Sequence, residues 1–264
     1  MAAIRLYVQL VSASLRAQMQ YKVDFLVSLF FDAILQSVDF ALLAAIMLRF
    51  PEIAGWTIYE IGILYGMSWI AMSLYRTLAP ELHDFEAYII QGTFDSLLIR
   101  PWPTLMVLLS RNLELRKLGG ALQGFVVFWI STNHLLAAGR IGWTDVLIML
   151  GLAAIGTLIA FSISLATATF AFWIGRSDDL QTFTMFAPIT ASQYPLTVFP
   201  GWLKGLLSSI LPVAFINFVP VQYLLGKGGS VWSLASSPIA ACICLTVAYS
   251  FWRYGERHYH STGS

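Results

Sequence analysis

Three polar side chains interrupt the first long apolar run of this chain. Asp32, Gln36 and Asp39 are spaced i, i+4 and i+7, so a helix presents them on one face. A carboxyl group at bilayer depth costs on the order of +2.5 to +3.5 kcal/mol, so such groups face protein or water. Two readings fit: a polar lining of a substrate path or subunit seam, or interhelical hydrogen bonds to neighbouring Ser, Thr or Tyr. A proton relay would want a histidine nearby, and none is close in sequence. The four histidines, His83, His134, His258 and His260, are scattered and form no H-E-x-x-H pattern. Cys242 and Cys244 sit inside an apolar run and read as two small lipid-compatible side chains. Neither set supplies enough ligands for a metal. The phosphate-binding pattern G-x-x-x-x-G-K-[ST] is absent; "GLLSSILP" and "GKGGSVW" do not fit it. The chain is therefore expected to bind no cofactor and to be no enzyme by itself.

Composition sets the solvent. Of 264 residues, 58% are hydrophobic and 11% charged, against roughly 25% charged in soluble domains. Mean hydropathy is +0.73. The expectation is one integral membrane domain over residues 1–264. A net charge of +1 carries no basic footprint for nucleic acid. The first residues, "MAAIRLYVQLVSASLRAQMQYK", lack the apolar core and small-residue site of a cleavable signal. Their spacing predicts an amphipathic helix on the membrane surface over residues 1–23.

Apolar runs long enough to cross a bilayer core of ~20 residues follow at about Phe25–Leu48, Ile58–Leu78, Leu118–Ala138, Asp145–Ile174 and Val231–Trp252. Between Thr182 and Gly226 the chain is apolar but broken by Pro188, Pro195, Pro200, Pro212 and Pro220. Non-helical backbone at membrane depth must be covered by protein or line a cavity. A broken span and a re-entrant pair over 195–225 are expected there. The fold class is thus all-α, with six transmembrane helices. With the N-terminus cytoplasmic, Lys and Arg divide eleven against four in favour of the inner side. Gly156, Ala160, Ser164 and Ala168 form a small-residue ridge for helix contact within the subunit. Glu114 is spaced to pair with Arg111 or Lys117.

The segment from Pro80 to Pro103 is the compact exception. Pro80 suits a helix start, and Leu82, Phe85 and Ile89 share an apolar face. Gly92 suits a stop and Thr93 a cap for a second short helix. Phe94, Leu97 and Leu98 are expected to pack down, and Arg100-Pro101 ends the element. Two short helices at the membrane surface follow, either as an ordinary interfacial loop or as a docking element.

The stretch "GTFDSLLIRPWPTLMVLLSR" resembles the cytoplasmic signature of permease subunits of the ABC-2 superfamily, in a bacterial six-span exporter-type branch. Its marks are Gly92, Asp95, Leu97, Leu98, Arg100 and Pro101; Trp102 and Pro103 follow where that pattern has a small polar residue. A second stretch, "YPLTVFPGWLKGLLSSILPVAFINFVPVQYLLGK", is similar through Tyr194, Pro195, Pro212, Phe215, Val219 and Pro220.

The resemblance implies that residues 80–103 are a coupling segment docking on an ATPase through Leu82, Asp84, Phe85, Tyr88, Gly92, Asp95 and Arg100. It implies that ATP and magnesium lie on that separate ATPase, and that a second permease, identical or paralogous, completes the complex. Residues 195–225 become extracellular re-entrant helices. Asp32, Gln36, Asp39 and Tyr194 are candidates for a substrate path or dimer seam. Membrane lipids and a hydrophobic or amphipathic small molecule or lipid cargo are the other partners, in a bacterial inner membrane with both termini cytoplasmic. A stand-alone channel or secondary transporter and a membrane-embedded enzyme are the alternatives.

Overall fold

The computed structural model describes residue 20 and residues 22–50 and 52–259. The amphipathic helix expected over 1–23 falls almost wholly outside the described residues. Helix α1 spans Lys22–Arg49 and packs along α6 (Leu118–Ala137). It also meets Tyr65 of the next helix through Gln36 and Phe40, while its opposite flank is open: Leu26, Phe30, Leu35 and Leu42 are each more than half exposed.

The short segment between the first two apolar runs forms a two-stranded antiparallel hairpin, β1 (Glu52–Ile53) and β2 (Trp56–Thr57). Its two turn residues, Ala54 and Gly55, have φ of 52° and 78°, the positive pair that a two-residue hairpin turn demands. Helix α2 follows at Ile58–Leu78. It is the buried pillar of the molecule, with Ile61, Ile63, Leu64 and Met67 fully enclosed between α6 and α7 (Trp143–Thr169). Gly66 and Gly124 let α2 and α6 approach closely. A Cβ on Gly66 would meet the Gly124 carbonyl at 2.6 Å, the small-residue contact that substitutes for a hydrophobic drive inside lipid. The ridge of Gly156, Ala160, Ser164 and Ala168 is buried as expected.

The segment between α2 and α6 holds α3 (Phe85–Ile90), α4 (Asp95–Leu98) and α5 (Thr104–Arg111). After α7 come α8 (Ala171–Ile174), ended by Gly175 at φ 75°, then α9 (Asp178–Gln181) and α10 (Ala187–Ser192). A π-helical stretch, Thr182–Phe186, joins the last two. The long fourth span expected over about Asp145–Ile174 is present as one 32-residue apolar stretch, Trp143–Ile174, in which the single turn residue Phe170 separates α7 from α8. Helix α11 (Gly201–Gly205) continues into a second π stretch, Leu206–Ile210, and α12 is Phe218–Leu224. The pieces Gly201–Ile210 and Val213–Leu224 meet at 77°, the sharp bend that the prolines predict. Helix α13, Trp232–Arg257, closes the fold and carries Pro238 inside it.

Among the described residues three stretches are long and apolar enough to cross a membrane, Lys22–Met47, Trp143–Ile174 and Trp232–Arg257; the bent pair makes a fourth if counted as one crossing. The chain is a helical, multi-pass membrane protein, with one small hairpin among the described residues.

Candidate functional site

The Pro80–Pro103 element is built on buried aromatic rings. A 3-10 turn over Pro80–Leu82 precedes α3, so the single helix expected from Pro80 to Gly92 is divided. Asp84 stands at the division with φ −94° and ψ 14°, outside the helical well. Leu82, Phe85, Phe94 and Leu97 have no exposed surface. Phe85 lies 4.9 Å from Trp252, 5.2 Å from Phe172 and 5.6 Å from Phe94, ring centre to ring centre. These are the offset and edge-on geometries that aromatic pairs favour. Tyr259 closes the cluster at 5.0 Å from Phe94.

Leu82 and Phe85, expected as partner contacts, therefore present their side chains to the interior of the chain. Gly92 has φ 67°, which a side chain would resist, and makes the turn between α3 and α4. Thr93 does not cap α4 through its side chain. Phe94 takes the cap position without a side-chain bond, and the Thr93 carbonyl accepts from Ser96 Oγ at 2.7 Å. Leu98 is 40% exposed rather than packed down, because α4 ends there and turns its last residues outward. The outer edge is made by Ile90, Gln91, Leu98, Ile99 and Arg100, all exposed, with Ile99 at 85%. Asp84, Tyr88, Gln91, Thr93, Ser96 and Arg111 line a groove of about 400 Å³ beside that edge.

Polar contacts fix the same element. Tyr88 donates its hydroxyl to Glu81 Oε2 at 2.6 Å, and the Arg111 guanidinium lies 5.2 Å over its ring. Burial, then the Glu81 contact, raises the Tyr88 phenol above its usual range. Burial and the neighbouring Asp95 carboxylate raise Tyr259 likewise. Glu86 accepts the Ser177 main-chain N–H. Gln181, fully buried, donates to the Leu82 carbonyl at 3.1 Å and to the Ser164 carbonyl at 3.3 Å. Ser164 in turn bonds the Tyr75 hydroxyl of α2. Thr104 donates to Glu256 at 2.9 Å, tying α5 to the end of α13. Phe172, Gln181, Trp252 and Glu256 carry no local signal, since they reach Phe85, Leu82, Phe85 and Thr104 across 87 or more residues of chain. Glu114 pairs with Arg116 at 3.3 Å, not with Arg111 or Lys117. It lies in an extended turn (φ −105°, ψ 80°), where helical spacing does not apply. Lys117 is lowered by burial and by Arg76 close by.

The first-span stripe divides into separate roles. Asp32 Oδ2 accepts the Gly120 N–H at 3.1 Å. Gly120 is the third residue of α6, so the carboxylate caps a helix start from a neighbouring helix. Gly119 makes room, because a Cβ there would stand 2.3 Å from the Leu29 carbonyl. Gln36 accepts the Tyr65 hydroxyl through its main-chain carbonyl at 2.9 Å. Asp39 is exposed, and Tyr194 is half-buried. Both lie near the Tyr65 phenol, which Gln123 and Trp69 also face.

At the opposite end of α2 lies a cluster that sequence reading missed. Glu60 is fully buried, with Arg140 Nη1 at 3.1 Å from Oε1 and Lys227 Nζ at 3.1 Å from Oε2. Its Oε2 also accepts the Thr57 N–H at 2.7 Å, capping α2. One carboxylate so joins the hairpin, the α6–α7 turn and the α12–α13 loop. Among the described residues no group of His, Cys, Asp and Glu is arranged to hold a metal.

These features define a multi-pass helical membrane protein with a surface element rigidly keyed into its helix bundle. The family model described as ABC-2 family transporter protein matches residues 33–263. The chain belongs to that family, whose members are membrane components of ABC transporters and work with an ABC ATPase. A comparison with curated proteins returned no match.

Proposed function

We propose that this chain is one transmembrane subunit of an ATP-driven exporter. A separate ATPase that holds ATP and magnesium would drive it, and it would be paired with a second permease, identical or paralogous. Helices α2 and α6, with 21 and 20 residues, are each about 30 Å long at ~1.5 Å per residue. With α1, α7, α13 and the broken segment before α13 they make six crossings. Both termini are then on the cytoplasmic side, with the Lys and Arg majority. Arg140 and Lys227, assigned to the outer side, meet at Glu60. Residues 80–103 and 252–259 share the other end through Phe85 and Trp252.

The observation that carries the reading is the two-sided build of the Pro80–Pro103 element. Its inner side is locked by Leu82, Phe85 and Phe94, with no exposed surface, while Ile90, Ile99 and Arg100 stand free at its edge. A lever needs this division: a stiff root in the bundle and a contact face for the motor. In this reading Leu82 and Phe85, with the Gly92 turn, transmit movement. Asp84, Tyr88, Asp95 and Arg100 border the contact face. The exposed flank of α1 with Asp39 is the path or seam, and the cargo is hydrophobic or amphipathic.

The test is purification of the complex in mild detergent with wild-type chain and with Ile99→Arg. Wild type should bring down an ABC ATPase, and the variant should lose it while its membrane level is unchanged. An ATPase that stays bound to the variant would move the contact face elsewhere.

A further inference from the structure

A cavity of about 390 Å³ lies where α7, α13 and the bent pair meet. Its walls include Ile163 and Ala166 of α7, Leu211 and Pro212 at the bend, and Val247 and Ala248 of α13. That volume is within the ~300–1,000 Å³ of small-molecule sites, yet the walls offer almost no hydrogen-bond donors. Ser162 Oγ donates to the Leu158 carbonyl at 2.6 Å. The Thr167 and Thr184 hydroxyls bond each other at 2.6 Å and reach the carbonyls of Ile163 and Leu180. Those three hydroxyls are used within the chain, and the remaining one, Ser209, is exposed. Water needs two to four polar partners to stay in such a place, and apolar cavities instead take apolar guests. Left empty, the lining would forfeit its dispersion contacts.

The mouth identifies the guest's source. Its rim is Phe170, Ile210, Ile243 and Val247, between 41% and 74% exposed. Phe170, Ile243 and Val247 lie on two of the stretches long and apolar enough to cross the membrane, so the opening faces hydrocarbon. We infer that this cavity holds the acyl chain of a membrane lipid, entering sideways from the bilayer. Both π-helical stretches contribute to the wall, through Thr184 and through Ser209 with Ile210. Wider π turns recur at functional positions in helices. Here they shape the pocket against α7 and α13, so the chain seated there forms part of the wall that supports the bent pair. The inference rests on the spans lying in a bilayer and not on the identity of the cargo.

Cys244 lines the cavity and Cys242 does not, and the chain has no other thiol. The test uses the purified complex in nanodiscs of phosphatidylethanolamine doped with a phosphatidylethanolamine that carries a mid-chain diazirine. Irradiation should enrich adducts on peptides holding residues 162–170 and 243–248 over those on the open flank of α1. Ala166→Phe, which fills the cavity, should abolish that enrichment and leave labelling of α1 unchanged. In case that variant fails to fold, Cys242→Ser provides a second reading. Its remaining thiol, Cys244, should react slowly with N-ethylmaleimide in nanodiscs and quickly after delipidation in short-chain detergent. Equal labelling of α1 and the cavity peptides would overturn the inference. So would slow Cys244 reaction that persists after delipidation, since a protein segment would then be the cover. Displacement of the photolipid by a co-purified non-lipid amphiphile would also overturn it, assigning the cavity to cargo.

Discussion

Gln181 holds Leu82 from inside the bundle: its Nε2 donates to the Leu82 carbonyl at 3.1 Å, across 99 residues of chain. The same nitrogen reaches the Ser164 carbonyl of α7, and Ser164 bonds Tyr75 of α2. One buried amide so connects the surface element to two membrane helices. Replacing it by Gln181→Leu leaves the Leu82 carbonyl without this donor. The expected cost is about 1–3 kcal/mol, the penalty of an unmet buried polar group. Detergent thermal melts should show it. In the assembled complex, cargo-stimulated ATP hydrolysis should fall further than the melt alone explains. Unchanged coupling would separate Gln181 from the lever.

The inner and outer faces of the element should respond in opposite ways. Phe85→Ala removes a ring with no exposed surface from a cluster of four others, at a cost of about 3–5 kcal/mol. Arg100→Ala alters an exposed side chain, and the stability change should stay within about 0.5 kcal/mol. ATPase binding should nevertheless weaken in Arg100→Ala. Parallel melts and pull-downs of the two variants check both halves.

Alkali should loosen the element. The phenols of Tyr88 and Tyr259 have raised pKa values, chiefly through burial, with Glu81 and Asp95 adding to it. A raised folded pKa means that the stability they contribute is complete below the unfolded value of about 10. It is lost as pH climbs through the higher folded values. Ionisation would also set a phenolate against a carboxylate at each site. Limited proteolysis within residues 80–103 should therefore accelerate above about pH 10. The double variant Tyr88→Phe, Tyr259→Phe should flatten that rise.

Asp32 and Asp39 look alike in sequence and should behave differently. Asp32 caps α6 through Gly120, so Asp32→Ala should cost about 1 kcal/mol, as lost caps do, and Asp32→Asn less. Asp39 is exposed on an apolar helix. Removing its charge in Asp39→Leu relieves an insertion cost of about 2.5–3.5 kcal/mol and should not lower the amount of protein in the membrane. Transport or subunit association should fall instead. Full activity in Asp39→Leu would remove the flank of α1 from the path or seam.

Much of the scaffold was legible because it depends on local rules. Ile58–Leu78 was read from its hydropathy to the residue, and Leu118–Ala137 to within one. The prolines marked the bend before α13, and Gly92 marked the turn between α3 and α4. What stayed hidden depends on distant partners. Nothing near Leu82 announces that Gln181 will meet its carbonyl, or that Trp252 will meet Phe85. Asp32, Gln36 and Asp39 share a helix face, but only the position of α6 decides that Asp32 caps it while Asp39 stays open. The hairpin escaped notice because its strands have two residues each, too few for an alternating pattern.

Glu60 yields the sharpest asymmetry. Its carboxylate is fully buried, while the side chains of Arg140 and Lys227 are 45% and 20% exposed. Removing the acid, as in Glu60→Gln, returns two cations to water that they already touch and keeps part of the cap on α2. About 1–2 kcal/mol should be lost, the scale of a helix cap. Removing both cations strands a buried charge, for which about 3–5 kcal/mol is typical. The double variant Arg140→Ala, Lys227→Ala should therefore melt well below Glu60→Gln, although it spares the buried residue. Adding Glu60→Gln to the double variant should restore stability, because the stranded charge is gone. If the triple variant melts lower than the double, the cluster stabilises this end by packing, and the ionic account fails.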